Sequence, residues 1–139
     1  MIAFDTDVLT EILLGNAECT ARASAIPEQE QAVPIIVIEE IVRGRLHVIR
    51  QAEAVKSKIS IERAYELFEE TIRDFQRVQV LSYTSQAEFF YRQWRQQNIR
   101  VSTHDLRIAA ICVAHGARLI SRNRQDFERV PGLTVEFWD

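Results

Sequence analysis

The sequence predicts an α/β protein, a three-layer α/β/α sandwich on a mostly parallel sheet of four to five strands. Short apolar segments typical of buried strands alternate along the 139-residue chain with amphipathic helical segments. No internal repeat, low-complexity run or linker interrupts this alternation. We therefore treat residues 1–139 as a single domain, and its 47% hydrophobic content is enough for a sizeable core.

The N-terminal half contains two predicted strands. Residues 2–4 form a short apolar run, and a helical pattern over residues 7–14 follows it at once. Residues 17–25 are alanine-rich and predict a second helix, which Pro27 prevents from continuing. Residues 33–38 are apolar at nearly every position, as expected of a strand covered on both faces. We expect that strand to end at two acids that begin the next helix.

The C-terminal half continues the same alternation. Its predicted elements are a long amphipathic helix at 59–77, a short strand at 78–81, a helix at 85–97, a helix from Ser102 to the terminator Gly116, a strand at 118–121 and an edge strand at 133–138. The helical stripes of residues 59–97 carry more Phe and Tyr residues, besides Trp94, than a small core needs. This excess favours a dimer surface.

The charge pattern shows no general basic field. The net charge is −3, and Lys56 and Lys58 are the only lysines, so arginine supplies almost all positive charge. Arginine pairs bidentately with phosphate and carboxylate, although a compositional bias explains its excess equally well. Cys19 and Cys112 are far apart and predict reduced core thiols. Without a signal segment or a membrane-length apolar run, we expect a cytoplasmic protein with no membrane partner.

Polar side chains recur just after the predicted strands, where parallel strands bring their carboxyl ends to one edge of the sheet. The residues in these positions are Asp5 and Asp7, Glu39 and Glu40, and Asn123 and Asp126, together with Asp105 in the first turn of the helix before the strand at 118–121. Acids that converge in this way repel one another unless a cation neutralises them.

Carboxylate oxygens suit Mg²⁺, or Mn²⁺, better than Zn²⁺, and His47, His104 and His115 lack zinc-ligand spacing. Such a cluster is typical of phosphoryl-transfer sites, where the metal activates water and stabilises the leaving oxygen. A purely structural explanation stays open at this stage. Asp5 can cap the following helix, and Asp105 lies three residues after Ser102 in a capping box.

Four segments resemble the PIN domain, specifically the VapC toxin ribonucleases of bacterial toxin–antitoxin modules. They are Phe4-Asp5-Thr6-Asp7-Val8-Leu9, Glu40-Ile41-Val42-Arg43-Gly44, Asp105-Leu106-Arg107-Ile108-Ala109-Ala110 and Leu119-Ile120-Ser121-Arg122-Asn123-Arg124-Gln125-Asp126-Phe127. Each segment alone is a weak signal, but together they occur in the family's order and spacing over nearly the whole chain.

The resemblance assigns roles to individual residues. It makes Asp5 and Asp105 the principal metal ligands and catalytic acids, and it selects Glu40 over Glu39 as the completing acid. The family's fourth acidic position falls on Asn123, which adds no charge, so Asp126 one helical turn on is a partial substitute. Two further residues are expected in supporting positions: Asp7 stands where the family most often has asparagine, and Ser121 where it favours a small hydroxyl.

The resemblance also implies a function, that of a Mg²⁺-dependent endoribonuclease toxin that uses metal-activated water on RNA. Family members are homodimers held inactive by a cognate antitoxin. Arg107, Arg122 and Arg124 are the candidates for contacts with the RNA backbone, since a negative cleft alone repels RNA.

Two other functions remain open. Asp5-Thr6-Asp7-Val8-Leu9 also resembles the first motif of haloacid-dehalogenase-like phosphatases, but that class needs a downstream lysine, and Lys56 and Lys58 lie in a polar mid-chain region. With Asn123 in place of an acid, the chain also fits a catalytically weak module that binds RNA or a partner. Repulsion among the remaining acids argues against a pure binding role.

Overall fold

The protein, described here as a computed structural model of all 139 residues, is built on one five-stranded sheet. The strands are β1 (Ile2–Phe4), β2 (Gln31–Pro34), β3 (Val80–Leu81), β4 (Arg118–Ser121) and β5 (Val135–Phe137). Their order is β3-β2-β1-β4-β5, and every neighbouring pair is parallel. The carboxyl ends of all five strands therefore meet at one edge, which confirms the α/β fold class.

Helices connect the strands, as parallel pairing requires. They are α1 (Thr6–Leu13), α2 (Ala17–Ser24), α3 (Ile35–Ala52), α4 (Ile61–Phe75), α5 (Ser85–Gln96), α6 (Thr103–His115) and α7 (Arg124–Phe127), and a 3₁₀ turn covers Glu28–Glu30. The helices predicted around 7–14, 17–25, 59–77, 85–97 and 102–116 are confirmed to within a few residues at each end.

One contiguous core of 27 buried residues lies around the central strands β1 and β4 and the helix α6. Leu106 and residues 108–112 of α6 are all fully buried. This explains why α6 is apolar on almost every side. Cys19 and Cys112 are both unpaired and buried, so the prediction of reduced core thiols agrees with the structure.

The prediction of a strand over residues 33–38 is wrong from Ile35 onward. Strand β2 ends at Pro34, and Ile35 begins an 18-residue helix in which Ile36 and Val37 face the core. A continuous apolar run fits a buried helix as well as a buried strand, and proline is well tolerated where a helix starts. Glu39 and Glu40 are therefore not at a strand end. They lie in the second turn of α3.

The long helix α4 leaves part of its apolar stripe in solvent. Tyr65 is 54% exposed and Ile72 39%, and Phe89 on α5 is 55% exposed. These side chains are compatible with the predicted dimer surface, which stays a prediction. None of the helices combines the length and apolar character needed to cross a lipid bilayer.

Candidate metal and nuclease site

Asp5 is the centre of the site, at the point where β1 passes into α1. Its backbone N–H donates to the carbonyl of Ile120, so the acid is held beside the end of β4. Its side chain caps α1: Oδ1 accepts from the Thr6 N–H at 2.8 Å. Oδ2 accepts from the Ser121 hydroxyl at 2.7 Å. The Asp5 carboxylate is therefore both the cap of α1 and the predicted metal ligand.

Asp5 is only 4% exposed, which is unusual for an acid without a cationic partner. Burial, followed by the charge of Asp7, raises its pKa from 3.8 to about 7, and the charge of Asp105 adds to this effect. The hydrogen bonds from Ser121 and Thr6 act in the opposite direction but do not cancel the shift. A carboxylate in this position would be stabilised by an added positive charge.

Asp105 opens α6 and faces the polar group that follows β4. Its N–H donates to Ser102 Oγ at 3.3 Å, so the predicted Ser102 cap is present. Its carboxylate Oδ2 accepts from the Asn123 amide at 3.3 Å, and the same amide donates to Asp126 Oδ2 at 3.0 Å. Asn123 thus joins two acids that would otherwise repel each other.

The pKa of Asp105 is raised to about 6, chiefly by burial. A hydrogen bond shared with Asp126 and the charges of Glu40 and Asp126 contribute in the same direction, while Ser102 opposes them. The charges of Asp7 and Asp105 therefore act on Asp5, and those of Glu40 and Asp126 act on Asp105. These are the acids that the sequence predicts at one edge of the sheet.

Glu40 reaches the same group from α3. Its Oε1 accepts from the Thr6 hydroxyl at 3.0 Å, and Thr6 in turn follows Asp5. Glu39 points elsewhere: it forms an exposed ion pair with Arg43 at 3.1 Å, and His104 Nε2 lies 3.5 Å from it. The structure thus places Glu40, and not Glu39, beside the other acids.

Two of these contacts were missed by the sequence analysis. The Thr6 hydroxyl fixes Glu40, and the His104 ring lies between the two glutamates, with Nδ1 3.9 Å from Glu40 Oε2. The position of His104 directly before Asp105 at the start of a helix was the only available signal. Nothing in the sequence indicated that Thr6 would reach across to Glu40.

Asp7 and Ser121, expected as supporting residues, connect the ends of β1 and β4. Asp7 accepts from its neighbour Val8 N–H at 2.7 Å and from the Arg122 N–H at 3.2 Å. Ser121 is fully buried and accepts from the Asn123 N–H at 3.0 Å while donating to Asp5. Both side chains therefore fix the geometry of the loop that carries Asn123.

The three arginines expected to contact RNA are engaged within the chain. Arg124 binds Asp139 through two nitrogens, at 2.8 and 3.0 Å, and Arg122 donates to the Trp138 carbonyl at 3.3 Å. The Arg107 guanidinium lies 4.9 Å from the Tyr91 ring centre, and its buried Nε has no hydrogen-bond partner. Their contact with RNA stays a prediction.

The donor chemistry of the site fits a hard divalent cation. Its potential ligands are carboxylate and amide oxygens, which Mg²⁺ prefers. Burial, with repulsion between the acids adding to it, raises the pKa of Asp5 and of Asp105. As the side chains stand, no group of three or more acidic, histidine or cysteine residues is arranged to hold a metal ion. Each Asp5 oxygen accepts one hydrogen bond, from Thr6 and from Ser121, so each keeps a lone pair with which it could bind a metal.

Comparison with known proteins agrees with this geometry. The PIN domain family model matches residues 2–133, nearly the whole chain, and the chain therefore belongs to the PIN domain family. The motif that resembles haloacid-dehalogenase-like phosphatases, by contrast, is only the five residues from Asp5 to Leu9.

Within this family the chain is of the VapC type. It is 34% identical over 100 residues to Ribonuclease VapC1 of Rickettsia felis, with 72% of this chain and 70% of the relative covered. It is 30% identical over 128 residues to Ribonuclease VapC2 of the same organism, with 89% and 82% covered. The fold also matches DNA-bound VapBC from Salmonella typhimurium, with TM-score 0.74, 22% identity and complete coverage of both chains.

Proposed function

We propose that the protein is a metal-dependent endoribonuclease toxin of a toxin–antitoxin module. The observation that carries the proposal is the buried Asp5 carboxylate, whose pKa is raised by burial and by the charges of Asp7 and Asp105. The two curated relatives are named ribonucleases, which supports RNA as the substrate.

Asp5, Asp105 and Glu40 would hold Mg²⁺, or Mn²⁺, with Asn123 and Asp126 beside them. When bound, the cation supplies a water nucleophile at neutral pH and charge stabilisation for the phosphodiester. The chain positions these acids: Ser121 and Thr6 orient Asp5, and the Thr6 hydroxyl orients Glu40.

The proposal includes two macromolecular partners besides RNA. The structural relative from Salmonella typhimurium is a VapBC complex bound to DNA, which supports a cognate antitoxin partner for this chain. The exposed apolar side chains of α4 and α5 support a homodimer. We place the protein in the cytoplasm, where RNA and an antitoxin are both accessible.

The test is RNA cleavage by the purified, antitoxin-free protein in Mg²⁺, in Mn²⁺ and in EDTA. We expect cleavage that requires a metal and that falls more than about 100-fold in Asp5→Asn and Asp105→Asn, beyond the loss typical of residues around a metal site. Glu40→Gln and Glu39→Gln are a matched pair of variants, because each neutralises one of two neighbouring acids. Glu40→Gln should lose activity, while Glu39→Gln should retain it because Glu39 points away.

Asn123 supports a second candidate, a catalytically weak module that binds RNA or a partner. It stands at the family's fourth acidic position and bridges Asp105 and Asp126 as a neutral amide. Binding of RNA with no cleavage in any metal would favour this function over the nuclease. Cleavage that survives in both aspartate variants would refute the assignment of the carboxylate site.

A further inference from the structure

A polar cleft extends from the carboxylate site along one side of α3. It is a cavity of about 410 Å³ without a single hydrophobic side chain in its lining, which consists of Glu40, Arg43, Gly44, His47, Arg50 and His104. Two of these residues, Glu40 and His104, also belong to the site described above. The cleft is therefore continuous with that site.

The charge of the cleft changes sign along its length. Glu40 lies at the site end, and Arg43, His47 and Arg50 follow at helical spacing on the same side of α3. At 1.5 Å per residue, the ten positions from Glu40 to Arg50 cover about 15 Å. This length is sufficient for a short run of nucleotides leading away from the acids.

The cations in the cleft are available to a ligand. The side chains of Arg50 and His47 are exposed and form no hydrogen bond or ion pair within the chain. Arg43 has one partner, Glu39, in a pair whose side chains are 64% and 44% exposed and which is therefore easily exchanged. In contrast, Arg124, nearer the end of β4, is already bound to Asp139.

Gly44 provides an independent observation. It lies in the interior of α3, where glycine is less favourable than alanine, and its φ is not positive. A Cβ atom built on Gly44 would meet nothing within 4 Å, so packing within this chain does not require a glycine. An external backbone that approaches the helix closely at this point would require one.

We propose that this cleft binds the sugar–phosphate backbone of the RNA beside the cleaved linkage, with Arg43 and Arg50 on phosphates and Gly44 at the closest approach. The proposal deepens the ribonuclease function and rests on it. Guanidinium groups bind phosphate oxygens in a fork geometry, and the neighbouring His47 ring can donate a hydrogen bond or stack on a base.

The test compares two double variants of equal charge. Arg43→Gln/Arg50→Gln removes the cations of the cleft. Arg73→Gln/Arg77→Gln is the matched control on and after α4, because Arg73 pairs with Glu69 four residues earlier, as Arg43 does with Glu39. Binding of a fluorescein-labelled single-stranded RNA is measured by anisotropy between 50 and 300 mM salt, in an Asp5→Asn background with Mg²⁺, while cleavage is measured with Asp5 intact.

For the cleft variant we expect a KM raised about tenfold with kcat little changed, and a salt slope of log K smaller by about 1.4, for two lost contacts to single-stranded RNA. The control variant should keep the parental slope and KM. Equal slopes in the two double variants would overturn the proposal. Absence of cleavage by the parent would refute the proposed ribonuclease function instead. The salt slopes would still show whether the cleft binds RNA.

Gly44→Ala separates a binding role from a structural one. Because alanine favours the helix and meets no neighbour, the variant should unfold about 2 to 4 °C higher than the parent. It should nevertheless bind the RNA several-fold more weakly. Unchanged RNA binding would overturn the close approach, and a change in oligomeric state by light scattering with unchanged RNA binding would assign the cleft to a protein partner.

Discussion

Asp5→Asn should make the metal-free protein more stable while it abolishes cleavage. In the unfolded chain an aspartate titrates near pH 3.9, about three units below the pKa of about 7 in the folded protein. Between these values the folded state retains a proton that the unfolded state has released. Stability of the parent therefore falls as the pH rises from about 4 to 7, and asparagine removes this loss.

The magnitude follows from the pKa and the burial of Asp5. A shift from 3.8 to about 7, at about 1.36 kcal/mol per unit, corresponds to on the order of 4 kcal/mol above pH 7. Asp5 is 4% exposed, so solvent screening reduces this free energy only slightly. The charges of Asp7 and Asp105 relax when Asp5 changes, and asparagine accepts fewer hydrogen bonds, so we expect about half, ~2 kcal/mol.

The assay is urea unfolding in EDTA at several pH values, with Asp74→Asn on the exposed surface of α4 as the control. The free energy of unfolding of Asp5→Asn should exceed that of the parent by ~2 kcal/mol at pH 8, which corresponds to roughly 5 to 8 °C in Tm. At pH 4 the two proteins should be almost equally stable. Saturating Mg²⁺ should shrink the difference, because metal binding stabilises only the parent's folded state. A variant less stable than the parent at pH 8 in EDTA would refute the electrostatic reasoning.

Three further predictions concern the same site. Asn123→Asp should lower the free energy of unfolding in EDTA by ~1 to 2 kcal/mol, because it replaces a donor to Asp105 and Asp126 by a third charge; equal stability would contradict this. The same variant should bind Mg²⁺ more tightly when binding is measured by calorimetry. Ser121→Ala should lose ~1 to 3 kcal/mol in urea unfolding, since it leaves one oxygen of the buried Asp5 without its donor. Mg²⁺ should raise the Tm more at pH 8 than at pH 5, because protons compete for the carboxylates; a pH-independent gain would argue against them as ligands.

The sequence was sufficient to predict the sheet and the grouping of the polar side chains at its edge, because the two share a cause. Alternating strands and helices force parallel pairing, and parallel pairing brings Asp5 and Asn123 to one edge. The hydrophobic pattern failed at residues 35–38, where a helix buries Ile36 and Val37 as completely as a strand would. Pro34, as a residue well suited to a helix start, was the signal that could have corrected it.

The remaining gaps concern side-chain partners, which depend on distances between elements far apart in sequence. The bond from Thr6 to Glu40 joins residues 34 positions apart, and His104 meets both glutamates across two helices. The engagement of Arg124 by Asp139 similarly depends on how the C-terminus packs beside α7. Periodicity describes which face of one element is buried, but it contains no information on which polar atoms of two elements meet.

The departure at Asn123 is best understood as a compromise between metal binding and stability. Its amide nitrogen has two hydrogens, which it donates to Asp105 at 3.3 Å and to Asp126 at 3.0 Å. A carboxylate in its place would bring a third negative charge to the same point, and the metal-free fold would have to tolerate that repulsion. Affinity for a divalent cation increases with the number of charged ligands, so the neutral amide would lower the affinity of the proposed site. At the proposed metal site, Asn123 would therefore let the chain fold around its acids before a cation binds, at the expense of affinity for that cation.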